Sequence, residues 1–136
     1  MNGRARVLVD SNVLLDVITE DPTWRAWSDG ALSDAADRGT LILNPIVYAE
    51  LSGGFARIED LDAALAPRVL RREALPWEAA FLAGKALVQY RRRGGRRSPL
   101  PDFYVGAHAA VRGYALLTRD AARYRTYFPG LSLIAP

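Results

Sequence analysis

The sequence predicts an α/β fold in which helices cover both faces of a parallel sheet. Three observations point there. The runs VLV at 7–9, LIL at 41–43 and ALL at 115–117 are continuously apolar, as in strands buried on both faces. Helical patterns separate these runs from one another. Two of the runs lead directly into acids, RVLVD ending at Asp10 and YALLTRD ending at Asp120. In sheets of this kind, sites lie beyond the carboxyl ends of the strands.

The elements follow in order. Residues 5–9 form the first strand, and Val13 to Ile18 continue as a short apolar helix. Asp21 suits an N-cap and Pro22 a first turn, so a second helix is expected to run to about Asp37 and stop at Gly39. Residues 41–43 give a second strand. Asn44-Pro45 opens a helix through Val47 and Leu51 that Gly53-Gly54 ends. Residues 58–66 form another short helix stopped by Pro67, and RVLRREAL reads as a third strand nearer an edge. The clearest helix begins at Trp77, where Trp77, Phe81, Gly84 and Val88 share a face with Ala80 and Leu87 beside them. It runs into RRRGGRRSPLP, the one loop-like stretch of low hydrophobicity. Asp102 then opens a small-residue helix, YALLT is a fourth strand, residues 121–127 a last helix and LSLI a fifth strand. No repeat or linker divides the chain, so residues 1–136 are read as one domain.

A chain of 136 residues with 50% hydrophobic and 24% charged residues suits one ordinary globular core. No apolar run approaches bilayer length, and the first residues lack the apolar core of a secretion signal. The cytoplasm is therefore the expected location. With no cysteine and one histidine, His108, disulfides, thiolate sites and the common His-rich zinc sites are excluded. The net charge is +3, and of 18 basic residues only Lys85 is a lysine. An arginine-favouring genome explains this. So does a phosphate-binding surface, since arginine grips phosphate oxygens in a planar fork. Composition does not separate the two.

Four acids stand out. Asp10, Asp102 and Asp120 each precede an expected helix, so N-capping accounts for each taken singly, least well for Asp10, where Ser11 or Asn12 would serve. Glu50 lies inside a helix between Ala49 and Leu51, with two glycines just beyond that would let a backbone or substrate approach. A lone helix-interior Glu is usually a solvated surface residue. Taken together, a parallel sheet can gather all four at its carboxyl-end face. Several carboxylates at one point need protons or a cation. An all-carboxylate set suits hard ions such as Mg²⁺ or Mn²⁺.

The segments VLVDSNVLLD, NPIVYAELSGG, LPDFYVGAHA and YALLTRDAARY, with the ending YFPGLSLIAP, resemble the successive motifs of the PIN domain, and more narrowly VapC-type ribonuclease toxins of bacterial toxin–antitoxin pairs. Each motif is weak alone; their order across nearly the whole chain is specific. The resemblance implies a three-layer α/β/α sandwich around a parallel sheet of four or five strands. It implies a metal site of Asp10, Glu50, Asp102 and Asp120, flanked by Ser11, Asn12 and Thr118. It further implies Mg²⁺ or Mn²⁺ dependence, RNA hydrolysis leaving 5′-phosphate and 3′-hydroxyl ends, a homodimer, and a VapB-type antitoxin that blocks the site. In one respect the chain departs from the pattern. Many relatives carry a further acid after the fourth motif's Thr, where Arg123 and Tyr124 stand here.

Arg91, Arg92, Arg93, Arg96 and Arg97 read either as a solvated helix end or as an RNA-backbone clamp. His108 is assigned to packing or surface duty, Trp24 and Trp27 to a core or dimer contact, and Asp16 to a salt bridge or the rim of the site. A strand–Asp phosphatase would want an acid where Asn12 stands. A receiver domain would want a lysine near a strand end, and Lys85 sits within a helix. A nucleotide fold would want a Gly-rich turn that DSNVLL lacks. An inactive PIN-like module that binds RNA or a protein without cutting is the remaining rival.

Overall fold

The computed structural model describes residues 5–97 and 99–136. Five strands and seven helices appear in it: β1 Ala5–Val9, α1 Ser11–Ile18, α2 Arg25–Arg38, β2 Gly39–Leu43, α3 Pro45–Ser52, α4 Ile58–Leu65, β3 Leu70–Arg72, α5 Trp77–Arg92, α6 Leu100–Arg112, β4 Ala115–Leu117, α7 Ala122–Tyr127 and β5 Leu133–Ile134. All strand pairings are parallel, in the order β3-β2-β1-β4-β5. The helices complete a three-layer α/β/α arrangement. α1 packs with α2, which lies on β2; α5 packs with α6, which lies on β1 and β4. No helix among the described residues is long and apolar enough to cross a membrane.

The strand order decides where a site can form. From β1 the chain winds outward through β2 and β3, then returns to the other side of β1 for β4 and β5. The direction of winding reverses between β1 and β4, and in sheets of this kind the ligand crevice lies at that reversal, beyond the carboxyl ends of the strands. Val9 pairs with Leu117, and the Asp10 amide donates to the Leu117 carbonyl at 2.9 Å. The residues just after both strands, Asp10 and Thr118, are thereby held side by side.

The core is built as the apolar runs require. Leu8, Val9, Ile42, Leu116 and Leu117 are fully buried, with Phe103, Val105, Ala107 and Ala109 of α6 over them. Gly39 opens β2 rather than merely stopping α2. A Cβ there would sit 2.1 Å from the Ala5 carbonyl oxygen, so only glycine lets β1 come this close. Gly113 (φ 72°) ends α6 in the left-handed region that favours glycine. Gly106, inside α6, makes room for the Tyr124 and Phe128 rings, which a Cβ would meet at 3.0 and 2.7 Å. That close approach lays α7 against α6.

Several expectations shift in detail. Asp21 accepts from the amides of Thr23 and Trp24, both at 2.9 Å, in a turn that precedes α2; the helix itself starts at Arg25. β3 shrinks to three residues at the sheet edge. On α5 the face shared by Trp77, Phe81 and Val88 points outward, with Trp77 89% and Phe81 71% exposed. The buried face is Ala79, Ala83 and Ala86. Alanines allow the closest approach to α6, and that outweighs the larger apolar area available on the other face.

A candidate acidic site at the β1–β4 crevice

Asp10 caps α1 and is 4% exposed. Its Oδ1 accepts the Ser11 amide at 2.8 Å, and its Oδ2 accepts the Thr118 hydroxyl and the Tyr124 hydroxyl, each at 2.9 Å. The capping expectation is thus inverted. Asp10 caps a helix, whereas Asp102 is the third residue of α6 and Asp120 precedes the Ala121 N-cap, and neither side chain makes a capping bond.

Ser11 turns its hydroxyl to Glu50, 3.1 Å away on α3. Asn12 holds the loop after β4 at two points: Nδ2 donates to Thr118 Oγ1 at 3.3 Å, and Oδ1 accepts the Arg119 amide at 3.1 Å. The Asp120 amide donates to Thr118 Oγ1 at 3.1 Å, but the Asp120 side chain is exposed. Arg123 Nη1 donates to Asp102 Oδ2 at 2.6 Å.

Electrostatics groups the acids. Burial raises Asp10 above its ordinary 3.8, against the lowering bonds from Tyr124 and Thr118, and the Asp102 charge raises it further. Glu50 is raised above 4.5, first by desolvation and then, against the Ser11 bond, by the charges of Asp10 and Asp102. Burial and the charges of Asp10, Asp102 and Glu50 raise the Tyr124 phenol so far that it is a permanent donor. Asp10, Glu50 and Asp102 therefore share one region of negative potential. Asp120 acts on Arg119 instead. Among the described residues, no three acids or histidines stand close enough to form a ready-made cation cage. The donors still suit a hard divalent ion, because Mg²⁺ commonly takes only one or two carboxylates and completes its shell with water and substrate phosphate.

A clip fixes the loop that carries Thr118 and Asp120. Arg119 grips buried Asp16 through Nε at 2.8 Å and Nη2 at 3.0 Å, Ser28 donates to the same carboxylate at 2.7 Å, and Trp24 lies under the guanidinium at 5.2 Å. Asp16 thus takes the salt-bridge role. Trp24 meets Trp27 edge to face, and Trp27 packs on the core.

His108 is fully buried, which excludes the surface half of the packing-or-surface expectation, and it sits in a polar chain. Asn44 Oδ1 caps α3 at the Val47 amide, so its Nδ2 donates to His108 Nδ1 at 3.0 Å. That assignment leaves the proton on Nε2, which donates to Glu73 at 2.8 Å. Tyr114 donates to the other Glu73 oxygen at 2.7 Å. The chain ties α3, bearer of Glu50, to α6, bearer of Asp102.

Arg91 and Arg92 lie in the last turn of α5, and Arg93, Arg96 and Arg97 follow it; all five are exposed, and none forms an ion pair with an acid among the described residues. Arg93 lies over the Tyr127 ring at 5.3 Å. Sequence reasoning registered Arg123 and Tyr124 only as a departure from a motif. Their usable signal was adjacency: two consecutive polar residues on the helix following the fourth motif, where the fold turns back over the crevice.

Known proteins share this fold. Solved structures with the same fold include the VapBC2 complex of Rickettsia felis bound to a promoter DNA fragment, at TM-score 0.75 and 19% identity over 96% of this chain and 98% of that one. VapBC-1 of nontypeable Haemophilus influenzae matches at TM-score 0.71 and 16% identity, over 96% and 97%. Mycobacterium tuberculosis VapC20, a sarcin–ricin loop cleaving toxin, matches at 0.62 and 16%, over 88% and 94%. No curated protein matches the sequence significantly. The PIN domain family matches residues 7–129, nearly the whole chain, and the protein belongs to that family.

Proposed function

We propose that the protein is a VapC-type toxin, a Mg²⁺- or Mn²⁺-dependent endoribonuclease that acts in the cytoplasm as a homodimer and is held in check by a VapB-type antitoxin. The observation that carries this reading is the grouping of Asp10, Glu50 and Asp102 at the β1–β4 crevice: buried Asp10 is held above its ordinary pKa by desolvation and by Asp102, and Glu50, exposed at the rim, by partial desolvation and by the charges of Asp10 and Asp102. Negative charge pooled in such a place is costly, and a divalent cation relieves it. The bound ion would lower the pKa of a water and stabilise charge on the phosphodiester.

The chain's own residues supply the rest. Asp10 and Asp102 would hold the ion. Tyr124, Thr118 and the Ser11 amide fix the Asp10 carboxylate so that it does not rotate. Glu50, at the open rim and oriented by Ser11, takes a proton from the attacking water. The water oxygen bonds to phosphorus as the bond to the 3′ oxygen breaks. That oxygen takes a proton from solvent water as it leaves, giving 5′-phosphate and 3′-hydroxyl ends. Asp120, exposed on the loop pinned by Arg119, completes the acidic rim from solvent.

The test is incubation of antitoxin-free protein with total RNA in Mg²⁺ or Mn²⁺, with the product ends mapped. Cleavage that continues undiminished in EDTA, or in Asp10→Asn, rejects the assignment. One observation favours the non-cleaving rival: Arg123 already neutralises Asp102. That rival predicts no divalent binding that depends on Asp10 and Asp102.

Arg91, Arg92, Arg93, Arg96 and Arg97 are proposed to track the RNA backbone toward the crevice. Replacing Arg92, Arg96 and Arg97 with Ala should lower RNA affinity and reduce the slope of log K against log salt by about 0.7 for each lost single-strand phosphate contact. A filter-binding salt series with an unchanged slope would remove the loop from the interface.

A further inference from the structure

Arg123 and Tyr124 are consecutive on α7, and each reaches a different acid. Tyr124 donates to Asp10 at 2.9 Å, and Arg123 donates to Asp102 at 2.6 Å. The two acids are the ones assigned above to hold the ion. α7 therefore lies across the pair, and the packing of the Tyr124 and Phe128 rings into the space left by Gly106 sets its position. Tyr124 is buried. Arg123 is not: its side chain is 39% exposed and that of Asp102 is 34% exposed, so the guanidinium has room to swing away.

We propose that Arg123 is a tethered counter-cation of the acidic site, neutralising Asp102 until a divalent ion displaces it and then turning to the phosphate of the RNA. The inference rests on the metal-dependent reading above. The physical argument is competition for one carboxylate. A guanidinium at 2.6 Å and a divalent ion both need Asp102 lone pairs in the same crevice, and their like charges repel. Metal binding must first break the ion pair, so metal affinity is lower than the carboxylates alone would give. Once released, the planar fork of Arg123 stands at the edge of the crevice and matches two phosphate oxygens. Tyr124 is different in kind. It donates to Asp10 with or without metal and is a positioning residue.

Mn²⁺ titration followed by electron paramagnetic resonance, which reads free ion directly and needs no turnover, tests this. Arg123→Ala should bind Mn²⁺ about two- to fivefold more tightly than the parent, the size expected when a partly exposed ion pair is removed. Arg123→Lys, which keeps the charge, should stay close to the parent. In steady-state cleavage, Arg123→Ala should raise KM for RNA although its metal affinity is higher, a split that a merely structural salt bridge would not produce. Equal or weaker Mn²⁺ binding by Arg123→Ala overturns the counter-cation role while leaving the nuclease assignment standing. Absence of Mn²⁺ binding by the parent and by Arg123→Ala alike overturns the metal reading itself, and this inference with it.

Discussion

Asp10→Asn should bind Mn²⁺ more than about 100-fold more weakly than the parent, since loss of even an outer-shell partner of a metal ligand costs 10- to 100-fold. Without metal, it should melt no lower than the parent at neutral pH. The two results belong together. Asp10 is buried, and desolvation raises its pKa above the ordinary 3.8 despite three hydrogen bonds. A carboxyl that holds its proton more tightly folded than unfolded makes the metal-free fold less stable once it ionises. That loss begins as pH rises past the ordinary value and is complete above the raised folded one. Glu50, raised above 4.5, acts in the same sense. A neutral amide at position 10 removes the larger part of this penalty, and the Thr118 and Tyr124 hydroxyls can still pair with it. For the same reason, metal affinity of the parent should climb with pH across that interval as protons leave the ligands. Differential scanning fluorimetry at pH 5 and pH 8, with and without Mn²⁺, reads all of this. A large metal-induced rise in Tm surviving in Asp10→Asn would show that the ion sits elsewhere.

Glu73→Ala should cost about 2–4 kcal/mol of stability, because it strands a buried histidine and a buried phenol. His108 Nε2 and the Tyr114 hydroxyl both donate to this carboxylate, and neither has room to recruit solvent as freely as a surface group. Glu73→Gln keeps an acceptor and should cost markedly less. Burial alone would raise the Glu73 pKa. The bonds from His108 and Tyr114, with the charge of Arg112, instead bring it below 4.5. A depressed carboxyl contributes its full stabilisation above the unfolded value and loses it as pH falls through the folded one. The gap between parent and Glu73→Ala in urea unfolding should therefore be wide at pH 7 and shrink as pH falls through the lowered folded value. A constant gap would mean that the cost is a packing defect and not the loss of an ionised acceptor.

The strands and their order of burial were legible because nothing but a two-sided sheet explains runs such as VLV and LIL that stop at polar residues. The likeness of four short segments to one family supplied what those runs do not, the pooling of acids from distant positions. The direction in which α5 faces was not legible. Trp77 and Phe81 are the larger apolar residues, yet Ala79 and Ala83 are buried, because close approach to α6 favours small side chains and the α5 sequence alone does not show which face meets a partner helix. The polar chain through Asn44, His108, Glu73 and Tyr114 was equally hidden. Its members are separated by up to 70 positions and no local pattern links them. Arg123 and Tyr124 were visible as residues out of place, but only the fold of α7 over α6 gives them their acids.

The bond between Thr118 and Asp10 spans 108 positions and that between Tyr124 and Asp10 spans 114. While the ribosome is still making the chain, Asp10 has emerged but its partners have not. β1 can pair with β2 on one side, while its other edge stays open until β4 arrives. Synthesis must pass Tyr124 before the crevice exists, so a fragment that stops short of β4 carries the first acid with nothing to complete it.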